Sequence, residues 1–305
     1  MKRLTLMIVG AGLLASACAG RGASSLGPAP AGDGSSPTPT PTSSPTRPTT
    51  SPPSPVPPSP SPRNPYTFQA WFATDYGQGH LFVTKRTDEF SAGVARLAMN
   101  ALLDGPSEVE EGAGMFTAIP FGVDLLGLDL SSDGVITVDL SSEFELGGSS
   151  SVETMRLAQV VYTLTQFRTV KSVRFAIEGR PVDVFGSQGI DVDPPRTRAD
   201  YEGLLPAIVV ESPSIGERVS SPVTVSGTAN VFEATVSLKI LDASGREIAR
   251  TFTTATCGTG CRGAYSVSVS YNVDREQQGT IVVFESSAED GSEINAVGIP
   301  VTLTP

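Results

Sequence analysis

Hydrophobic positions fall into three regimes along the chain. They are continuous from Leu4 to Leu14, nearly absent from 19 to 65, and periodic from Tyr66 onward. Tyr66, Phe68, Ala70 and Phe72 alternate, as a half-buried strand does, and Leu81-Phe82-Val83 predicts a second strand. Val94, Leu97, Ala98, Ala101 and Leu102 then line one face of a helix that Gly105-Pro106 ends. Leu126, Leu128 and Leu130 alternate, as do Val135 to Val138 with Leu140, and the turn Ser132-Asp133-Gly134 between them predicts a hairpin. A second helix is expected at Ser150, with Glu153 completing a capping box and Leu157, Val160, Val161, Leu164 and Phe167 on one face. Val173, Phe175 and Ile177 alternate again, and Pro181 to Phe185 closes the unit. The order ββα–ββα–ββ predicts an α+β domain over 66–200, two helices on one β-sheet.

From 206 to 305 the period is that of strands alone. Ile208/Val210, Val223/Val225, Val236/Leu238/Ile240, Ile248/Phe252, Tyr265 to Tyr271, Ile281/Val283 and Val297 to Leu303 make about seven short strands, with turns at Asp242-Ala243-Ser244-Gly245 and Glu289-Asp290-Gly291. That spacing predicts an all-β immunoglobulin-like sandwich. The antibody pattern is missing: the single Trp, Trp71, lies in the other domain, and no Cys pair can link the two sheets.

The start of the chain is an address. Lys2 and Arg3 precede the apolar run, and Ala15-Ser16-Ala17 precede Cys18, which marks residues 1–17 as a secretory signal peptide. The run is too short to span about 30 Å of hydrocarbon comfortably. Ala15-Ser16-Ala17 also fits ordinary signal cleavage. However, Leu14-Ala15-Ser16-Ala17-Cys18 resembles a bacterial lipobox, with Ala15 where that pattern usually has Leu. The favoured expectation is lipidation at Cys18 by palmitate-type chains, which anchors an exported protein on the outer face of the cell membrane. A thiol left free there would be a liability in an oxidising compartment. Residues 18–65, with runs such as Pro37-Thr38-Pro39-Thr40-Pro41, bury too little to order themselves and read as a disordered Pro/Ser/Thr-rich tether.

Charge narrows the partners. The formal charge is −11; residues 1–65 hold Lys2, Arg3, Arg21, Arg47 and Arg63 against Asp33 alone, so residues 66–305 carry −15. Such a surface repels phosphate backbones and anionic lipid, so nucleic acid is not an expected partner.

Little in the chain points to catalysis. His80 is the sole histidine, which makes a Ser-His-Asp triad improbable. Asp124, Asp129, Asp139, Glu143 and Glu145 are candidates for a glycosidase pair, against the commoner role of solvated acids on turns and strand faces. Gly112-Ala113-Gly114 reads as plain loop. Cys257-Gly258-Thr259-Gly260-Cys261 reads as a disulfide pinching a loop; the alternative, a metal site, lacks further soft ligands nearby. No catalytic residue, metal or cofactor is expected.

Two stretches carry a family resemblance. Leu102-Leu103-Asp104-Gly105-Pro106, Thr117-Ala118-Ile119-Pro120-Phe121-Gly122 and Leu157 to Leu164 resemble the GerMN domain, which also occurs in envelope lipoproteins of the actinobacterial type. Glu211-Ser212-Pro213, Gly227 to Ala234 and Asp290 to Asn295 resemble the immunoglobulin-like domain of bacterial spore germination. The resemblance implies a fold similar to the ring-building αβ modules of secretion assemblies and no known catalytic residues. It also implies a role in sporulation, germination or envelope maintenance. The expected function is a non-catalytic scaffold or adaptor that contacts an envelope protein or a cell-wall component. The alternatives are a ligand-sensing lipoprotein regulating a membrane kinase or transporter and, behind it, a wall hydrolase.

Overall fold

The structure is a computed structural model and describes residues 65–74, 79–89 and 93–305. The signal peptide, Cys18 and nearly all of the tether lie outside the described residues. Among the described residues no helix is long and apolar enough to cross a membrane.

The first domain opens with a hairpin of β1 (Pro65–Thr74) and β2 (His80–Glu89), followed by α1 (Val94–Leu103), the short α2 (Glu108–Gly112) and β3 (Met115–Phe116). Next come β4 (Leu125–Leu130), β5 (Val135–Leu140), α3 (Ser150–Leu164), β6 (Ser172–Ile177) and three two-residue strands, β7 (Arg180–Pro181), β8 (Val184–Phe185) and β9 (Ile190–Asp191). The fold is α+β, with its strands divided between sheets. One sheet has the order β2-β1-β3, another β4-β5-β6-β7, and β8 pairs with β9 alone. Alternation identifies strands but not their neighbours, so the expected single sheet is corrected to these.

β5 and β6 run parallel, joined through α3. This crossover puts α3 at the centre, where every residue from Met155 to Leu164 is buried. Around it pack Trp71, Phe72, Met99, Leu102, Phe144 and Phe175. The inward face of α1 is turned slightly from the expected one: Ala98, Met99 and Leu102 are buried, while Val94 and Leu97 are only half-buried. A glycine at φ +85, Gly105, turns the chain out of α1, and α2 follows with a capping bond from the Ser107 N–H to Glu110 at 2.7 Å.

A 3-10 segment, Arg198–Leu204, leads to the second domain: β10 (Ile208–Ser212), β11 (Arg218–Ser220), β12 (Val223–Ala229), β13 (Thr235–Leu241), β14 (Glu247–Thr254), β15 (Gly263–Val269), β16 (Gln277–Ser286) and β17 (Glu293–Thr304). Sheet β10-β12-β15 faces sheet β11-β17-β16-β13-β14 across Val225, Leu238, Ile240, Ile281, Ile299 and Val301, an immunoglobulin-like sandwich. Its eighth strand, β11, is three residues long and parallel to β17, too short to show as alternation. Tyr265 and Tyr271 close the sandwich from inside, donating to the Val209 carbonyl at 3.1 Å and the Val219 carbonyl at 2.7 Å.

The two domains touch directly. Strand β10 lies against β2, and the Lys85 N–H donates to Ser214 Oγ at 3.2 Å. Arg262 holds the connection, donating to the Pro206 carbonyl at 2.8 Å and lying 3.8 Å from Glu202.

Candidate functional site

A polar stripe on α3 organises the surface at that helix's N-terminal end. Ser149 caps the helix, accepting from the Val152 N–H at 3.5 Å. Glu153 does not reach back to the helix start, so the expected Ser150–Glu153 capping box is corrected. Its buried carboxylate accepts instead from the Ser187 N–H and hydroxyl, at 3.0 and 2.8 Å, and from the Gln188 N–H at 3.2 Å. The approach is close enough that a Cβ at Gly186 would stand 2.5 Å from the carboxylate. Burial pushes the Glu153 carboxyl up, but the Ser187 and Gln188 donors and the Arg156 charge outweigh it, and the net direction is down.

One turn further, Arg156 is buried and donates only to backbone. Its Nε reaches the Ala118 carbonyl at 3.0 Å, Nη1 the Phe144 carbonyl at 2.5 Å, and Nη2 the Leu146 and Gly147 carbonyls at 3.1 and 2.9 Å. Gln159 follows, accepting from the Ala118 N–H at 2.8 Å. Three loops, around 118, 144–147 and 187–188, are thus fastened to one buried stripe.

What those loops display is apolar. Phe121 sits at a corner with Gly122 at φ +85 and is fully exposed. Leu146 is 62% exposed and Val184, two residues before Gly186, 57%; Val152 in the first turn of α3 is also exposed. Fixed loops with bare apolar tips are the usual anatomy of a protein-contacting surface. In the sequence, the aromatic between Pro120 and Gly122 signals a turn tip, since neither neighbour suits an element interior. Arg156 gave no signal, because an Arg on a helix reads as solvated.

The second domain has a smaller surface of the same kind. Phe232 and Ile294 flank Glu285, which accepts from the Phe232 N–H at 2.8 Å and from Asn295 Nδ2 at 2.7 Å, and Phe252 is exposed on the edge strand β14. Cys257 and Cys261 are joined by a disulfide. The loop they close braces the Phe232 turn: the Thr259 N–H donates to the Val231 carbonyl at 2.9 Å, and the Gly260 N–H to Asn230 Oδ1 at 3.0 Å. Cys18 lies outside the described residues.

The other residues singled out in the sequence are scattered. His80 lines a small cavity of about 120 Å³ between the domains with Phe82, Pro206 and Val297, and its Nδ1 is buried without a hydrogen-bond partner. Asp129 lies on β4, Asp139 accepts from the Gly179 N–H at 2.9 Å, and Glu143 and Glu145 lie in the 3-10 turn Ser142–Glu145. Gly112 ends α2, and Gly114 takes φ +88 in the turn after it. Among the described residues, no three His, Cys, Asp or Glu side chains are grouped so as to hold a metal. Each described carboxyl with a shifted titration is shifted down, Asp133 by the Ser131 hydroxyl and Glu143 by that of Ser141. For Glu143 this is the direction opposite to the one a general acid for glycoside cleavage needs. A polar groove near Gln69, Lys85, Gln166, Arg198 and Glu211 is open, and two of its polar groups are already committed. Gln166 bonds Gln69, and Arg198 donates to Thr165 Oγ1 at 2.8 Å and the Tyr162 carbonyl at 2.9 Å.

Comparison with known proteins agrees with this architecture. Residues 72–183 match the Germane family, described as sporulation and spore germination, and residues 207–292 match Gmad2, the immunoglobulin-like domain of bacterial spore germination. The chain therefore carries a GerMN domain followed by an immunoglobulin-like domain, and is related to sporulation and germination proteins. Among solved structures it is similar to the tandem GerMN domains of the sporulation protein GerM from Bacillus subtilis, at 15% identity over 68% of this chain and 62% of that one, with a TM-score of 0.39. The first GerMN domain of the same protein gives 22% identity over 44% of this chain and 99% of that one, with a TM-score of 0.36. The match thus spans under two thirds of the tandem structure's length. No curated protein matches the chain.

Proposed function

We propose that the protein is a non-catalytic envelope lipoprotein, exported and anchored through Cys18, that acts as a scaffold or adaptor. Its GerMN domain docks an envelope protein through the loops around Phe121. Its immunoglobulin-like domain offers Phe232, Phe252 and Ile294 to a second protein or to a wall component. The relation to sporulation and germination proteins supports a role in sporulation, germination or envelope maintenance.

The observation that carries this reading is Phe121, a fully exposed aromatic on a loop whose backbone is tied to the buried Arg156 and Gln159. Exposed aromatics on rigid supports are typical binding anchors, because little side-chain or loop freedom is lost on docking. A sensor of small ligands calls instead for an enclosed pocket with free convergent polar groups, and the polar groove at Gln166 is open.

The test is photocrosslinking in cells from positions 121 and 252. The adaptor reading expects a discrete protein adduct from position 121 and a different adduct from 252. Absence of adducts at both positions, with adducts formed from a control surface position, argues against it. So does release of muropeptides from purified cell wall by the isolated protein.

A further inference from the structure

We infer that the surface around Phe121 receives a cationic apolar segment of its protein partner, a stretch in which Lys or Arg is interspersed with large apolar side chains. The inference rests on the adaptor reading and adds the chemistry of the partner.

The apolar tips stand among carboxylates. Asp124 follows the Phe121 corner, and Glu143 and Glu145 sit in the 3-10 turn immediately before Leu146. Asp139 and Glu178 lie at the C-terminal ends of the parallel strands β5 and β6, and Asp183 adjoins Val184. The Ser141 N–H donates to the Asp124 carbonyl at 3.0 Å, and the Ser142 N–H to Glu178 Oε1 at 3.1 Å, so these acids belong to the same end of the domain as the loops held by Arg156.

No described cation forms an ion pair with any of the six. Arg156 is close by but buried, with four hydrogen bonds to carbonyls and its charge set against Glu153. The exposed Arg180 is the one cation in the 178–188 stretch. Against the six carboxylates stand Arg180 and Arg96, whose Nη1 donates to the Leu125 carbonyl at 3.5 Å beside Asp124, so the surface combines bare apolar anchors with a net negative charge.

That combination selects among occupants. Anionic headgroups and phosphate backbones are repelled. A bound metal ion is not the answer to these acids, because no described group of three is close enough to chelate one. A segment with positive charges between apolar side chains satisfies both features: the charges steer and select, and the apolar contacts hold.

The test uses the full chain with Cys18→Ser, which removes the thiol proposed to carry lipid, and two fluorescent amphipathic peptides, one of Leu and Lys and one of Leu and Glu, read by anisotropy. The Leu/Lys peptide is expected to bind, with affinity falling as salt rises. Phe121→Ser is expected to lower that affinity by about tenfold, since it removes a central anchor. Because Phe121 touches little, this variant folds, and because it leaves the charge unaltered, it separates the surface from general attraction to an acidic protein. The double change Glu143→Gln with Glu145→Gln is expected to weaken binding and flatten its salt dependence.

Equal binding by the Phe121→Ser protein overturns the proposal, as does equal binding of the Leu/Glu peptide. Phe121-dependent binding to anionic lipid vesicles does the same. The adaptor reading is judged separately, by the crosslinks from position 121. A captured protein whose contacting segment is neutral or acidic leaves the adaptor standing and removes this inference.

Discussion

Gln166 holds Gln69 by both of its backbone polar groups: the Gln69 N–H donates to Gln166 Oε1 at 2.6 Å, and Gln166 Nε2 donates to the Gln69 carbonyl at 2.7 Å. This is the exchange a neighbouring strand would make. Two residues on, Thr163 Oγ1 accepts from the Trp71 N–H at 3.2 Å and Gln159 Nε2 donates to the Trp71 carbonyl at 3.0 Å; at Ala73, β3 takes over. Strand β1 is thus paired by β2 on one side and largely by helix side chains on the other, which removes an open edge from the domain.

Replacing Gln166 with Leu keeps the bulk and removes both bonds. Two half-buried backbone groups are then left unpaired, at about 1–3 kcal/mol each when water cannot replace the partner. The expected loss is about 2–3 kcal/mol in urea unfolding. Gln166→Glu can accept from the Gln69 N–H but cannot donate to the carbonyl, so it should fall between the two. A Gln166→Leu protein within about 0.5 kcal/mol of the parent would mean that water fills this edge.

Glu110 predicts an acid-sensitive first domain. It accepts from Arg86 through both oxygens, at 2.5 and 2.6 Å, from the Ser107 N–H at 2.7 Å, and from the Thr84 hydroxyl. Burial raises this carboxyl, but the Arg86, Thr84 and Ser107 bonds and the Arg86 charge overcome it and hold it at about 2, against 4.5 ordinarily. The folded value lies below the unfolded one, so the stabilisation is complete above about 4.5 and is lost as pH falls toward 2. Discounted for the partly open Arg86, it is on the order of 2 kcal/mol. The stability gap between the parent and Glu110→Gln should therefore narrow from pH 6 to pH 3. A constant gap would show that Glu110 acts through shape alone.

The sandwich and the helices were readable because burial there follows a simple period. Most of the second domain's strands alternate cleanly, though Phe252 on β14 faces outward, and Leu157, Val160, Val161 and Leu164 mark α3 as expected. What period could not reveal is the other side of α3. Glu153, Arg156, Gln159, Thr163 and Gln166 fall on one stripe, which pattern alone assigns to solvent. They are inside because unpaired loop and strand backbone lies opposite them, and backbone polarity leaves no trace in side-chain patterning. The same limit explains the capping error. Ser149, Ser150 and Ser151 are chemically equivalent caps, and Glu153 was diverted by Ser187 and Gln188, more than thirty residues away. The candidate surface was half legible: Pro120-Phe121-Gly122 announces a turn, but the exposure of Phe121 depends on how Arg156 and Gln159 hold Ala118.

The disulfide closes a loop of sequence separation 4. In the chain-entropy account, a link that short stabilises by about 2 kcal/mol. Cys257→Ser with Cys261→Ser should lose about that much, and reductant should lower the unfolding temperature of the parent but not of the double variant. Hydrogen exchange should quicken at 230–234, because Thr259 and Gly260 brace that turn. A parent protein indifferent to reductant would place the stability of the loop in those hydrogen bonds instead.

Arg156 yields the most direct test of how the Phe121 surface is supported. Arg156→Met fills similar space but abandons the carbonyls of Ala118, Phe144, Leu146 and Gly147 and leaves Glu153 without its nearby cation. Removing one partner from such a buried arrangement costs about 3–5 kcal/mol. Arg156→Lys keeps the charge but offers a compact ammonium in place of a planar fork, and it cannot reach carbonyls spread over two loops. It should remain folded and lose only part of that stability. Its signature is local: amide exchange should accelerate around 118–122 and 144–148 while the Phe175 and Val173 amides of β6 stay protected. Loops that remain as slow in Arg156→Lys as in the parent would be holding themselves, and the rigidity of the Phe121 corner would then come from its own turn.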